Sequence, residues 1–282
     1  MLGFSTEDFS LQRDGRTVRG RLVAPCDVAR GTVLFSSPLA RTMDELFFPT
    51  YFFLSNGLAV LQYDPTNHPG RSDGDIADYT ITEHCRDLCA VLDRWSHLRP
   101  VLFAISMGAL PTFRALATHD VTGAVLLVPV VAPFRTLERV TGTDWKARHE
   151  TGQAVPESID ITGFTIRGAF VADGLGNGFG EEEILANAAA ISCPVRIIAS
   201  DADEWVDLED IRAVATRLVN ARLTVVSQAT HEFQRNPFVG ARYFSAAVHE
   251  VRDVLGLSGE THRPPFAEIV AARELAFGSG AR

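Results

Sequence analysis

A short apolar run that ends in Ser106 constrains the fold more than any other stretch of the sequence. Residues 101–105 are Val-Leu-Phe-Ala-Ile, and Ser106 is followed by Met107, Gly108 and a segment with helical patterning. This strand–turn–helix pattern is typical of a nucleophile elbow, in which a strained turn lifts a serine hydroxyl above the edge of a sheet. The turn crowds the positions two before and two after the serine, and both hold small residues, Ala104 and Gly108. Taken alone, the run fits equally well a buried strand that ends in a structural serine.

Two further loops supply the partners that a serine nucleophile requires. The apolar strand 195–199 is followed by Asp203, and the strand 223–226 is followed by His231. Serine becomes nucleophilic when an imidazole takes its proton, and a carboxylate must hold that imidazole in the correct tautomer. The order serine, acid, histidine along the chain is that of the α/β-hydrolase fold. Each residue alone has a structural explanation, but the three in this order predict a catalytic triad of Ser106, Asp203 and His231.

The choice of acid depends on the residues that follow the strand. Asp201 and Asp203 leave the same strand, and either carboxylate is near enough in sequence to reach the histidine. The expected pattern is a short turn and then Asp-x-x-Val entering a helix, which the stretch 203–206 matches. Asp201 lies two residues early, so it is interpreted as a turn residue that binds nearby backbone amides.

Strand and helix patterns alternate along most of the chain, which predicts a mostly parallel sheet flanked by helices. The predicted class is therefore α/β, a single α/β-hydrolase domain over residues 1–282. Strands are predicted over 7–12, 17–24, 32–36, 58–63, 101–105, 124–131, 195–199 and 222–227. Helices are predicted over 43–56, 81–97, 107–119, 207–219 and 237–255.

The alternation breaks down between about residues 133 and 192, just before the strand that carries the acid. We expect this irregular insertion to act as a lid over an apolar substrate, although a decorative insertion is the alternative. The glycine-rich run 173–180 lacks the spacing of a dinucleotide-binding loop and is interpreted as a mobile loop. Residues 258–282 form a polar tail for which the sequence predicts no particular structure.

Composition excludes several functional classes. The 282 residues are 46% hydrophobic, enough for one large domain, and the formal net charge of −9 argues against nucleic acid or an anionic membrane as partner. No leader or membrane span is apparent, so a soluble cytoplasmic protein is expected. Cys85 and Cys89 share a predicted helix face with Leu88, which favours core packing over metal binding. No metal or cofactor is predicted.

Several motifs together resemble one known family, the acyl-transferase component of the bacterial bioluminescence fatty-acid reductase complex. That component is an acyl-carrier-protein thioesterase with an α/β-hydrolase fold. The likeness covers nearly the whole chain and is strongest over residues 40–44, 63–75, 104–106, 203–206 and 230–236.

The resemblance implies a nucleophile, acid and base at the same three positions that the spacing predicts. Two residues depart from the family pattern. Gly108 replaces a second serine of the bioluminescence members, and Pro38 occupies a loop position where glycine is usual. The segment 140–192 matches poorly, so the acyl chain length and the acceptor are not carried over.

The expected chemistry is acyl transfer through an acyl-serine. The oxyanion is expected to bind the backbone amide of Met107 and one amide from the loop after the third strand. Pro38 has no amide hydrogen, so Leu39 is the predicted second donor. Arg41 and His68 lie in loops at the carboxyl ends of strands and are the candidate substrate-binding residues. Arg41 is expected either to contact a phosphopantetheine phosphate or to pair with Asp44. His68 is expected either to brace its loop through a hydrogen bond or to act as a second base.

Three functions remain open from the sequence. The first is a thioesterase that releases a fatty or polyketide-like acid from acyl carrier protein or coenzyme A. The second is an O-acyltransferase that passes the acyl group to an alcohol, because the acceptor depends on how well the lid excludes water. The third is a catalytically silent hydrolase-fold protein that binds a ligand or partner, against which the intact triad argues.

Overall fold

A computed structural model of the chain describes residues 3–277. Ten strands lie in this range: β1 (Phe4–Arg13), β2 (Arg16–Pro25), β3 (Thr32–Ser36), β4 (Ala59–Asp64), β5 (Val101–Ile105), β6 (Gly123–Leu127), β7 (Ser158–Ile161), β8 (Phe164–Arg167), β9 (Val195–Ser200) and β10 (Ala221–Val226). Apart from β7 and β8, they form one sheet in the order β1-β2-β4-β3-β5-β6-β9-β10. The pairs β1–β2 and β2–β4 are antiparallel and the remaining pairs are parallel. The mostly parallel sheet predicted from the alternating pattern is confirmed.

The described range also contains ten α-helices, several of which begin at clear sequence caps. They are α1 (Phe47–Leu54), α2 (Ile81–Arg94), α3 (Ala109–Thr118), α4 (Pro133–Thr141), α5 (Trp145–Glu150), α6 (Ala169–Gly176), α7 (Glu181–Ala190), α8 (Leu208–Arg217), α9 (Pro237–Val254) and α10 (Phe266–Phe277). The Thr80 hydroxyl accepts a hydrogen bond from the Glu83 amide and caps α2, and the Asn236 side chain caps α9 in the same way. None of the helices within residues 3–277 is long and apolar enough to cross a membrane.

The core lies on both faces of the sheet. Strands β3, β5 and β6 are buried along their whole length, as parallel strands are when helices cover both faces. One apolar cluster packs α2, α3 and the insertion against the first face, and a second packs α1 and α9 against the other. Cys85 is buried in the first cluster beside Leu88, which agrees with the packing role inferred for it.

The segment 133–192 is not irregular, so that expectation is wrong. It folds into α4–α7 and the antiparallel hairpin β7–β8. The first half of the glycine-rich run lies in α6, where a side chain on Gly174 would come within 2.9 Å of the Phe134 ring. Phe179 in the same run is buried. These glycines therefore permit close packing onto the body of the protein rather than forming a mobile loop.

Several element boundaries also differ from the predictions; α1, for example, covers Phe47–Leu54 rather than residues 43–56. Strand β6 ends at Leu127 rather than residue 131, because Val128 has a positive φ of 41° and leaves the extended conformation. The polar tail 258–282 contains α10, whose Ile269 and Ala272 are buried in the second apolar cluster. Residues 278–282 of that predicted tail lie outside the described residues.

Candidate active site

Ser106 lies in a strained turn between β5 and α3. Its φ is +52°, a left-handed conformation that non-glycine residues rarely adopt. Gly108 faces the end of β3, and a Cβ on it would lie 2.3 Å from the carbonyl oxygen of Ser36. The Ser36 hydroxyl donates a 2.8 Å hydrogen bond to the Gly108 carbonyl, which ties the turn to β3. The small residue predicted at this position is therefore required by the approach of two backbones.

The three residues of the predicted triad meet at the carboxyl edge of the sheet. The distance from Ser106 Oγ to His231 Nε2 is 2.8 Å, and His231 Nδ1 is 2.7 Å from Asp203 Oδ2. A carboxylate can only accept, so Nδ1 carries the imidazole proton and Nε2 is free to accept from the serine hydroxyl. His231 is 4% exposed and the Asp203 side chain 1%, so the pair is shielded from water. This is the arrangement in which a histidine acts as base toward a serine.

Backbone amides hold the acid in place. Asp203 Oδ1 accepts hydrogen bonds from the amides of Trp205 and Val206, both at 2.9 Å, leaving Oδ2 for the imidazole. Asp201 points elsewhere and accepts from the amide of Gln228 at 2.8 Å. The structure thus brings Asp203, and not Asp201, to His231. Asp201 binds a backbone amide, as expected, but this amide lies in the loop after β10 rather than in its own turn.

Two neighbours of the acid support the histidine loop, and sequence reasoning assigned no role to either. The Glu204 carboxylate accepts a 3.0 Å hydrogen bond from the backbone amide of His231. The Trp205 ring lies 4.6 Å from the imidazole ring, tilted by 34°. Both residues follow Asp203 directly and therefore lie inside the motif that identified the acid. The histidine that they contact is more than 25 residues away in sequence, so the motif alone did not reveal the contact. Together they restrict the position of the loop and the plane of the imidazole.

A cavity of about 200 Å³ opens above Ser106. Its floor includes Met107 and Leu39, the two residues whose amides are the predicted oxyanion donors. The insertion supplies one wall from α4 and from the β7–β8 hairpin. Those wall residues are Thr136, Leu137, Val140, Ile161, Thr162 and Phe164. The glycine-rich run contributes nothing to this lining, so the part of the insertion over the site is α4 and the hairpin.

The structure brings Arg41, but not His68, to the cavity. Arg41 lines the cavity mouth and forms a 3.0 Å ion pair with Glu45. The predicted pairing of Arg41 with Asp44 is wrong, because Asp44 instead pairs with Arg21 and Arg71. The side chain of Arg41 is nevertheless 44% exposed, which leaves the guanidinium accessible from solvent.

His68 is buried beneath its loop, with its ring 4.9 Å from that of Tyr79 and 5.4 Å from that of His84. Burial lowers the pKa of His68 to about 3, an effect that the nearby carbonyl of Arg41 only partly opposes. Burial also lowers the pKa of His84, and the adjacent His68 adds to that effect. His68 is therefore a neutral residue packed beneath its loop, and it does not line the catalytic cavity.

No group of three or more His, Cys, Asp or Glu side chains within residues 3–277 is arranged to hold a metal ion.

Comparison with known sequences points to acyl transferases. The family model described as acyl transferase matches residues 16–273. An acyl transferase of Photobacterium phosphoreum is 23% identical over 259 residues, covering 88% of this chain and 84% of the relative. An acyl transferase of Shewanella woodyi is 25% identical over 284 residues, covering 95% of this chain and 92% of that protein.

Solved structures with a similar fold are hydrolase-fold proteins. Est1E from Butyrivibrio proteoclasticus, solved with ferulic acid bound, superposes with a TM-score of 0.69 at 18% identity and covers 87% of this chain and 96% of its own. A monoacylglycerol lipase from Paleococcus ferrophilus gives a TM-score of 0.64 at 18% identity, covering 89% of this chain and 99% of that one. At these identities the likeness establishes the fold, which is the α/β-hydrolase fold predicted from the sequence.

Proposed function

Because the chain belongs to the acyl transferase family, as its motifs predicted, we propose that Ser106 accepts the acyl group of a fatty or polyketide-like thioester. The donor in this proposal is an acyl carrier protein or coenzyme A. The observation that carries it is the continuous hydrogen-bonded line from Ser106 through His231 to Asp203, at 2.8 and 2.7 Å, opening into a cavity with apolar walls.

The reaction has two halves that use the same residues. His231 Nε2 takes the hydroxyl proton as Ser106 Oγ attacks the thioester carbonyl, and the imidazolium is stabilised by Asp203. The tetrahedral oxyanion binds the amides of Met107 and Leu39. Its collapse breaks the C–S bond, the His231 imidazolium gives its proton to the departing thiolate, and the acyl group remains as an ester on Ser106. In the second half, neutral His231 deprotonates the acceptor, which attacks the ester. The Ser106 Oγ–acyl bond then breaks, His231 returns the proton to Oγ, and the acylated acceptor is released.

Two arginines at the cavity mouth support a phosphate-bearing donor. Arg41 and Arg235 both line the mouth, and their side chains are 44% and 78% exposed. Each is paired with a glutamate, Glu45 and Glu232, so a phosphate would have to compete with these carboxylates. An exposed guanidinium binds phosphate in a bidentate manner, and the phosphopantetheine arm of both proposed donors carries one.

The acceptor is water or an alcohol. The family description, acyl transferase, favours transfer as a second candidate beside hydrolysis. The two sides of the cavity differ in how well they exclude water. The insertion side is largely apolar, whereas the mouth carries charged groups that retain water. We propose hydrolysis as the main reaction, with transfer to an alcohol as the alternative outcome of the same acyl-serine.

A panel of acyl thioesters tests this function. Purified protein should release thiol from acyl-coenzyme A or acyl carrier protein substrates, and turnover should vary with acyl chain length. Repeating the assay with added glycerol, followed by mass spectrometry of the products, separates the free acid from an ester. Absence of thiol release across the panel, together with absence of any acyl adduct on Ser106, would favour the catalytically silent binding protein instead.

A further inference from the structure

A second cavity lies directly beside the catalytic one, on the side away from the insertion. It has a volume of about 280 Å³ and is formed between α1, α9 and the start of α10. Its lining is Glu45, Leu46, Phe48, Pro49, Ile105, Phe233, Pro237, Gly240, Phe244 and Phe266. Glu45 is the one charged residue of that set, so this cavity is far less polar than the catalytic cavity.

The two cavities share two wall residues, Ile105 and Phe233. Ile105 directly precedes Ser106, and Phe233 is two residues beyond His231. Both side chains are buried, at 3% and 1% exposure, and therefore form the partition between the cavities. A group attached to Ser106 Oγ thus has this partition beside it.

We propose that the second cavity receives the hydrocarbon tail of the acyl group, so that the α1–α9 side of the fold, rather than the insertion, measures acyl chain length. The inference rests on the proposed acyl-serine chemistry and names where its substrate lies. The carbonyl stays at the floor of the catalytic cavity beside Met107, and the chain runs past Ile105 and Phe233 into the space around Phe48.

The distribution of polar groups assigns the tail to this cavity and the carrier arm to the other. The phosphopantetheine arm contains amides and a phosphate, which need hydrogen-bonding partners when they leave water. Arg41, Thr136, Thr162 and Arg235 around the catalytic cavity provide such partners. The second cavity offers mainly aromatic and aliphatic carbon, which favours the burial of methylene groups.

Size gives a second, independent argument. Cavities that bind small molecules usually enclose about 300–1,000 Å³. The catalytic cavity, at about 200 Å³, and its neighbour, at about 280 Å³, each fall below that range, but together they lie within it. A joined cavity accommodates the reacting group and its chain, whereas the catalytic cavity alone accommodates a short acyl group.

A third cavity suggests what ends the channel. It has a volume of about 370 Å³ and shares Phe48, Pro237 and Phe266 with the second cavity. The rings of Phe48 and Phe266 lie 6.0 Å apart and close the space between the two. Phe266, the first residue of α10, therefore sets the far wall for the acyl chain, and its removal extends the channel.

The test compares substitutions that fill or lengthen the channel. A Cβ on Gly240 would meet its nearest neighbours at 3.6–3.8 Å, ordinary contact distances, so a methyl group fits there without a clash. We expect Gly240→Leu to lower the ratio of kcat/KM for dodecanoyl-coenzyme A to that for butanoyl-coenzyme A by about tenfold or more. His249→Leu, which adds the same side chain at an exposed position of the same helix, should leave that ratio as in the wild type.

Two further variants keep the test decisive. Gly240→Ala adds a single methyl group and should lower the same ratio by about fourfold, the effect of one displaced methylene, even if the leucine variant fails to fold. Phe266→Ala should instead raise turnover of hexadecanoyl-coenzyme A relative to dodecanoyl-coenzyme A.

Unchanged ratios in folded Gly240→Ala and Phe266→Ala would overturn the channel while leaving the acyl-serine intact. Loss of all thioester turnover in the wild type would overturn the proposed function itself.

Discussion

Two regions of the molecule are stabilised in different ways. One is the edge of the sheet that carries the triad, and the other is the insertion beside that edge. At the sheet edge, hydrogen bonds fix each group, as in the two amides on Asp203 and the Glu204 carboxylate on the His231 amide. The insertion packs apolar side chains onto the body of the protein, for example Phe170, which stacks on Tyr79 with ring centroids 5.9 Å apart. Its ion pairs, such as that of Arg139 with Asp207 at 2.7 Å, are partly exposed and therefore contribute little. Directional bonds preserve a geometry to within tenths of an ångström, whereas apolar packing tolerates changes of shape. We therefore expect substitutions at the sheet edge to change the rate of reaction, and substitutions in the insertion to change substrate preference.

The largest effect is expected for Ser106→Ala. The substitution removes one hydroxyl from a turn whose backbone is held by β3 and Gly108, so the fold is retained. Thioester turnover should fall by about ten-thousandfold or more, because the nucleophile is lost. Circular dichroism checks the fold, and Ser96→Ala, at an exposed site away from the cavity, serves as the control. A folded Ser106→Ala variant with near-normal turnover would require a different nucleophile.

The second largest effect separates the two aspartates. Asp203→Asn should lower kcat by on the order of a thousandfold or more, because an amide in place of the carboxylate favours the wrong imidazole tautomer. Asp201→Asn, matched in chemistry and two residues away, keeps an oxygen that accepts from Gln228 and should cost less than about threefold. Steady-state kinetics of the two purified variants show which aspartate supports the histidine. A severe defect in Asp201→Asn with a mild one in Asp203→Asn would reverse the assignment.

The edge of the sheet that carries the triad was predictable from sequence, because the residues that fix its geometry are close together in the chain. The strand, Ser106 and the small residue at 108 are adjacent in the sequence and form the pattern typical of a nucleophile elbow. The amides that bind Asp203 come from positions 205 and 206, inside the very pattern from which the acid was chosen. The parallel sheet then brings the separate loops to one edge, so their order along the chain was sufficient.

The insertion was not predictable because its determinants lie far away in sequence. Gly174 is close to Phe134, forty residues earlier, and that contact gives no local pattern. Nor did the polar loop around His68 reveal that this side chain is buried against Tyr79 and His84. The second cavity is a further example, since it combines residues from α1, α9 and α10 that share no motif.

An effect on specificity is expected in the insertion. Phe164→Ala enlarges the hairpin wall of the catalytic cavity and should change relative turnover of branched and linear acyl thioesters by about threefold to tenfold. Labelling of Ser106 by a small fluorophosphonate should stay within about twofold of the wild type, because the triad is untouched. Phe164→Leu, which keeps most of the apolar volume, is the matched control. An equal loss in both assays would show that the hairpin supports the triad rather than selecting substrate.

The last prediction concerns stability rather than rate. His68 has a folded-state pKa of about 3 against an ordinary value of 6.5, so between these pH values the unfolded chain binds a proton that the native protein does not. Stability should therefore fall as pH decreases from about 6.5, and His68 should contribute about 1.4 kcal/mol per pH unit to the slope. Urea unfolding at several pH values, with His68→Asn for comparison, measures this. A variant whose slope equals that of the wild type would show that His68 does not carry the effect, leaving His84 as its source.

Direct detection of the acyl-enzyme tests the central claim most closely. The wild-type protein is mixed with dodecanoyl-coenzyme A, quenched in acid within the first turnover, digested and sequenced by tandem mass spectrometry. We predict a dodecanoyl ester on the peptide that contains Ser106, accumulating in His231→Gln only to a trace because that variant lacks the base. An acyl adduct on another residue, or thiol release with no adduct on Ser106 at any quench time, would contradict the account.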